Sequence, residues 1–201
     1  MQVVILSNES LKEELMDGLS SSPEGIIWIE EFSQLQNHKE ADVFIDLLFE
    51  NSHLTALQQL LPKLIIVNSV EQTLFEMNSS FVRINGWNTF LKSSLVEATS
   101  LKQSDKEKTE KVFALFNKKI EWIDDIVGFI TPRVISMIIN EAFISLKEGV
   151  SSKEEIDIAM KSGTNYPYGP FEWSQKIGVN NLKKLLSKLS KEQTRYSCFI
   201  E

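Results

Sequence analysis

From Gly128 to Gly178 the chain reads GFITPRVISMIINEAFISLKEGVSSKEEIDIAMKSGTNYPYGPFEWSQKIG, and its local signals leave little freedom of fold. Thr131 can cap a helix, and Pro132 suits the first helical position, where its missing N–H costs nothing. Gly149 supplies a stop. Between them Val134, Ile135, Met137, Ile138, Ile139, Ala142, Phe143, Ile144 and Leu146 cover more than one stripe, leaving a narrow polar track of Arg133, Ser136, Asn140 and Lys147. Such a helix is buried on most sides. Ser152-Lys153-Glu154-Glu155 is a capping box for a second helix, which carries Ile156, Ala159 and Met160 on one face and is expected to stop at Gly163. Tyr166-Pro167-Tyr168-Gly169-Pro170 then makes a rigid turn with two ring-locked φ angles.

Ahead of this helical stretch the pattern changes. Residues 1 to about 125 alternate short apolar strands with helices, the pattern of a doubly wound sheet. Strands are expected at Val3–Leu6, Ile26–Ile29, Asp42–Asp46, Leu64–Val67, Phe81–Ile84 and Leu95–Ala98. Helices are expected at about Ser10–Leu19, Leu54–Leu61 and Lys106–Asn117. The boundary falls near Asp125, giving an α/β domain over 1–125 and an all-α domain over 126–201.

Length and charge narrow the function. The 201 residues suffice for one large or two small domains with a real core, and 42% hydrophobic with 24% charged content is that of a soluble globular protein. A net charge of −7 with no basic run argues against a nucleic-acid partner. No apolar run approaches membrane-spanning length, and the Met1–Leu6 stretch leads straight into Glu9, Lys12 and Glu13 rather than a signal peptide. A single cysteine, Cys198, excludes an internal disulfide and a cysteine metal cluster, which suits a reducing cytoplasm.

The motifs GF-I-x-x-R, NEA, EGV-S-x-x-x-ID-x-AM, G-x-NYP-x-GPFEW and x-x-IG, in this order over about fifty residues, resemble the C-terminal domain of 3-hydroxyacyl-CoA dehydrogenases. Earlier segments resemble that family's nucleotide-binding domain. ADVFIDLLFEN at Ala41–Asn51 is similar to the strand that meets the cofactor, Val67-Asn68-Ser69 to the end of the next strand, and Asn85–Glu97 to the catalytic strand-loop-strand. The resemblance implies a Rossmann-like domain followed by an all-α dimerisation domain, with NAD as cofactor, an acyl-CoA ligand and a homodimer formed through the long helix. Only about ten residues separate the second strand from Ala41, where the family has a long helical hairpin that contacts coenzyme A.

The chain departs from the family at the residues that carry its chemistry. A pyrophosphate sits on a helix N-terminus, approached through glycines that let the backbone come close. Leu6-Ser7-Asn8-Glu9-Ser10-Leu11 contains no glycine; Leu6, Asn8 and Leu11 are expected to fill the phosphate space, with Glu9, Glu13 and Glu14 adding negative charge. Glu30, at the end of the second strand, and Glu50, in the ADVFIDLLFEN segment, are the positions the resemblance implies for cofactor contact. In the family a histidine takes the C3 hydroxyl proton while hydride leaves C3, and a glutamate orients that imidazole. Glu97 matches the glutamate, and counting back places Asn85 at the histidine, with Asn88 matching the asparagine three residues on. An amide has no usable basicity. The family's serine after the Val67-Asn68-Ser69 strand falls on Val70 or Glu71, and the asparagine of its GF-I motif on Pro132. Both histidines, His38 and His53, read as solvent-facing.

Walker, HExxH, GxSxG and paired-cysteine patterns do not occur, so no metal site is expected and other hydrolytic or phosphoryl-transfer chemistries lack support. The reading is a 3-hydroxyacyl-CoA dehydrogenase-like protein that is non-catalytic or strongly impaired and binds NAD weakly or not at all. The alternative is an active NAD-dependent 3-hydroxyacyl-CoA (3-hydroxybutyryl-CoA) dehydrogenase of fatty acid metabolism.

Overall fold

The computed structural model describes residues 1–200, which divide into two compact units at Phe129 and Ile130. The first is Rossmann-like and the second all-α. In the first unit the strands are β1 (Val3–Leu6), β2 (Ile26–Ile29), β3 (Val43–Asp46), β4 (Leu64–Asn68), β5 (Val82–Ile84), β6 (Leu95–Thr99) and β7 (Lys119–Trp122), with helices α1 (Glu9–Leu15), α2 (Leu54–Gln58) and α3 (Gln103–Ala114). They form one sheet in the order β2-β1-β3-β4-β5-β6-β7, parallel except for the β5–β6 pair. Strands covered on both faces read as continuous apolar runs, and β1, VVIL, is buried along its whole length. Its residues alternate between two cores. Val3 and Ile5 join Leu11, Leu15, Val112, Phe113 and Phe116, while Val4 and Leu6 join Leu35, Leu57, Leu74 and Phe81 on the opposite face.

Several local boundaries differ from those expected. Asn8 caps α1, so that helix starts at Glu9 rather than Ser10, and it ends at Leu15 because Met16 to Gly18 turn away, Gly18 at φ +81°. Helix α3 runs three residues earlier than anticipated, from Gln103 to Ala114, and Asn117 leaves it at φ +57°. The connection between β2 and β3, residues 30–42, holds a 3-10 helix over Phe32–His38, anchored by buried Leu35 and by Gln34 Oε1, which accepts from the backbone N–H of Glu30 and Glu31.

The second unit holds α4 (Thr131–Lys147), α5 (Lys153–Thr164), α6 (Pro170–Ile177) and α7 (Val179–Ser190). Thr131 is not the cap of α4. Gly128 at φ +82° and Phe129 at φ +49° swing the chain so that Ile130 takes the cap position without a side-chain bond, and Thr131 and Pro132 both lie in the first turn. The other end follows the expected glycine: Gly149 N–H donates to Leu146 O at 3.0 Å and Val150 N–H to Ser145 O at 3.0 Å, a Schellman motif closed by φ +72°. Ser152 and Glu155 form the capping box of α5. That helix passes through Gly163 and stops at Asn165, which takes the left-handed conformation at φ +56°.

The GPFEW motif is explained by a contact with α5. Asp157, 8% exposed, accepts from Phe171 N–H at 2.8 Å and Glu172 N–H at 3.1 Å, thereby capping α6 from a neighbouring helix. Glu172 returns the cap by accepting from Gly169 N–H at 3.0 Å, and Lys161 Nζ donates to its other oxygen at 2.6 Å. Gly169 has an ordinary φ of −74°, so its glycine is a matter of space: a Cβ there would overlap the Asp157 carboxyl group. Gly169→Ala is therefore expected to destabilise the protein by about 1–3 kcal/mol, the cost of breaking satisfied buried hydrogen bonds. Gly163→Ala, a helical site with nothing within reach of a new Cβ, should instead stabilise it by about 0.5–1 kcal/mol. Urea unfolding of both variants checks this pair of opposite signs.

Candidate functional site

In an open α/β sheet, ligands bind beyond the carboxyl ends of the strands, where the strand order reverses. Here that reversal lies at β1, flanked by β2 and β3. Register aligns Ile29, Leu6, Asp46 and Val67, and Asn68 with Ile84. The next residues, Glu30, Ser7, Leu47 and Asn68, therefore stand in a row along the sheet's carboxyl edge, and Asn85 lies one residue beyond the Asn68–Ile84 level.

Asn68 stitches the end of that row. Its Nδ2 donates to Leu47 O and Gly86 O, each at 3.0 Å, and its Oδ1 accepts from Gly86 N–H at 2.9 Å. The backbone of Gly86 lies so close to this amide that a Cβ would stand 2.8 Å from Asn68 Cγ. Beside it the antiparallel β5–β6 pairing brings together the two residues matched by counting. Asn85, 3% exposed, donates from its backbone N–H to Glu97 O at 3.0 Å and from Nδ2 to Glu97 Oε2 at 3.2 Å. Asn85 Oδ1 accepts from Trp87 N–H at 3.4 Å. Asn88 is partly exposed on the loop that follows. The pair can fix a polar group at the sheet edge, and Asn85 cannot accept a proton there.

At the start of α1 the side chain of Asn8 occupies the position of an anion. Its Oδ1 accepts from Leu11 N–H at 2.9 Å, using an amide that a pyrophosphate would need. Leu6 and Leu11 do not fill the phosphate space as expected; each is at most 3% exposed and points into a core on one side of the sheet. Glu14 also differs. Both of its carboxylate oxygens accept from Thr89 N–H, at 2.7 and 2.8 Å, so it fixes the loop after β5, where Thr89 sits at φ +83°, rather than charging the entrance to α1. Lys118 supports the same loop, donating to Lys92 O and Glu14 O, and its burial pushes the ammonium pKa down. Glu9 pairs with Lys12 at 3.5 Å, and Glu13 is exposed. The arrangement over residues 6–11 does not fit a dinucleotide pyrophosphate.

Glu30 and Glu50 are both exposed, Glu30 after β2 and Glu50 before the turn into α2. Ser69 is buried, with Oγ donating to Gln72 O at 3.1 Å, and Val70 beside it is core. Sequence reasoning missed an Asp–His pair. His53 does not face solvent: its Nδ1 lies 2.7 Å from Asp46 Oδ2, and its ring stacks on Phe32. Burial raises the Asp46 pKa, while the bonded His53 acts in the opposite sense. An Asp closing a strand with a His seven residues later was the available signal. This imidazole stands beyond β3, two strands from β5 and so roughly 10 Å from the Asn85 position at the usual spacing. It cannot replace an imidazole beside Glu97.

Residues 128–198 match the family model of the 3-hydroxyacyl-CoA dehydrogenase C-terminal domain. The chain is similar to 3-hydroxyadipyl-CoA dehydrogenase of Escherichia coli K12, 43% identical over 72 residues, which is 36% of this chain and 15% of that protein. It is also similar to 3-hydroxybutyryl-CoA dehydrogenase of Clostridioides difficile, 36% identical over 108 residues, or 51% of this chain and 38% of that one. A crystal structure of (S)-3-hydroxybutyryl-CoA dehydrogenase from Ralstonia eutropha superposes with a TM-score of 0.71 and 25% identity, covering 86% of this chain and 66% of that one. Residues 128–198 are thus of the 3-hydroxyacyl-CoA dehydrogenase C-terminal type, and the chain as a whole resembles that family. It spans well under half the length of the curated relatives it matches. Among the described residues, no group of three or more His, Cys, Asp or Glu is placed to hold a metal, and no helix is long and apolar enough to cross a membrane.

Proposed function

We propose that this chain is a non-catalytic member of the 3-hydroxyacyl-CoA dehydrogenase family, keeping the fold while lacking the proton acceptor and a competent NAD site. The observation that carries this reading is the Asn85–Glu97 pair: the glutamate is present, and its partner is an amide with no usable basicity. The Asn8 cap on α1 supports it from the cofactor side. The active alternative draws on the names of the relatives, and the amide at Asn85 counts against it. Titration of the purified protein with NADH tests the reading; no saturable binding is expected below about millimolar concentration, and a micromolar dissociation constant would contradict it.

The protein associates with a second copy through α4. A groove of about 650 Å³ runs along this helix, lined by Val134, Met137, Ile138, Ala142, Ile156 and Met160, with Arg133 and Arg195 at its polar margin. Val134 is 52% exposed, an unusual position for an apolar residue of a long helix. Exposed apolar surface of this extent is what self-association covers, and a two-fold contact would use the same face on both copies. Sedimentation at micromolar concentration is expected to report a dimer. A monomer over that whole range would overturn this part of the proposal.

A further inference from the structure

The segments leaving β2 and β3 flank β1, and a stacked pair of side chains joins them beyond its end. Phe32, three residues after β2, lays its ring on that of His53, seven residues after β3, with centroids 3.8 Å apart and planes 6° from parallel. Phe32 packs against the core that holds Leu6 and Ile29, so the stack is seated over the ends of β1 and β2. Asp46, 1% exposed, holds His53 Nδ1 with one oxygen and accepts Leu48 N–H at 3.0 Å with the other. Phe49 meets the imidazole edge-on at 6.4 Å.

The geometry says what holds the rings together. The rings lie nearly parallel and in direct contact, a stacked arrangement. Asp46, bonded to Nδ1, fixes the orientation of the imidazole over the phenyl face. The stack, its carboxylate lock and its place across the reversal point form one unit. For a flat ligand to lie in the crevice, the segments after β2 and β3 must part, and the face on which it would stack is already covered by Phe32.

We propose that the Phe32–His53 stack, locked by Asp46, is a clasp that closes the crevice beyond β1 to a purine ring. The proposal deepens the non-binding reading above and rests on it, adding a second closure independent of the Asn8 cap. The test is an NMR titration with adenosine, a probe without phosphate and therefore indifferent to residues 6–11, of wild type, Phe32→Ala and Phe32→Val. The wild type is expected to show no saturable shifts. Both variants are expected to bind about tenfold or more tightly by comparison, within the range that base–aromatic stacking is worth, with shifts centred on residues 29–31 and 47–53. The His53 ring protons should move downfield in the variants as the stacked phenyl is lost. Phe32→Val keeps apolar volume as a guard against loss of the fold in Phe32→Ala, and far-ultraviolet circular dichroism verifies each. Equal adenosine binding by wild type, or no gain in a folded variant, overturns the clasp. Micromolar NADH binding by the wild type, measured alongside, overturns the non-binding reading itself, so the two failures are separable.

Discussion

Purified wild-type protein will oxidise NADH with acetoacetyl-CoA at no rate above background, and Asn85→His will not restore turnover. Loss of a general base costs about 10² to 10⁴ in rate, which taken alone leaves a slow enzyme. The variant is a fair test, because Asn85 Nδ2 already lies 3.2 Å from Glu97 Oε2, so an imidazole there would find the carboxylate that orients it. The larger deficit lies elsewhere. Holding hydride donor and acceptor in register is worth about 7–11 kcal/mol, and it requires a cofactor seated on the α1 N-terminus, where Asn8 now takes the Leu11 amide. On the proposed reading, the short 3-10 helix after β2, where the resemblance implies a hairpin contacting coenzyme A, also removes binding energy remote from the reacting carbon. Asn85→His therefore repairs the smallest of three losses. Wild-type turnover near one per second, on the order of slow natural enzymes, would end the non-catalytic reading. Activity confined to the variant would show that the cofactor site is intact and that the Asn8 cap yields to phosphate.

Asp125→Ala is expected to cost about 3–5 kcal/mol of stability, the penalty for stripping the partner from a buried charge. Arg83 is fully buried on β5 and pairs through Nη1 with Asp125. Its Nε donates to Ser69 O at 3.0 Å, its Nη2 to Val70 O and Ile126 O, and its guanidinium lies 4.8 Å from the centre of the Phe129 ring. Burial lowers the Arg83 pKa, with the Asp125 bond and charge acting in the opposite sense. Asp125 also accepts from the backbone N–H of Leu74 and Phe75, so this one carboxylate fastens the segments after β4 and after β7 to β5. Arg83→Met should cost less than Asp125→Ala, because the stem volume is kept and Asp125, 16% exposed, retains its backbone donors. Urea denaturation midpoints for the two variants test the order. A loss below about 1 kcal/mol in Asp125→Ala would mean that water reaches the guanidinium and replaces the pair.

What could be read from the sequence was whatever is encoded within a few residues. The Ser152–Glu155 box, the Gly149 stop and the apolar runs of β1 and β4 are local devices, because capping and two-faced burial depend on neighbours along the chain. The Asn85–Glu97 partnership was also legible, since a strand-loop-strand of that length fixes which residues oppose one another. Other assignments failed for a common reason. Leu6 and Leu11 were placed in the phosphate space and Glu14 at the helix entrance, yet the pleat and the turn of α1 send the leucines into opposite cores and Glu14 toward Thr89. His53 was read as exposed because nothing beside it in sequence requires burial; the order β2-β1-β3 is what brings Phe32 and Asp46 to it. Gly169 looked like a turn glycine, while its requirement comes from Asp157 on another helix. The sequence by itself determined most of the elements, the α5 capping box, the Gly149 stop and the amide opposite Glu97. Only the tertiary structure decided which side chains close the crevice and which hold the loops, because those contacts join residues that the chain separates and the topology reunites.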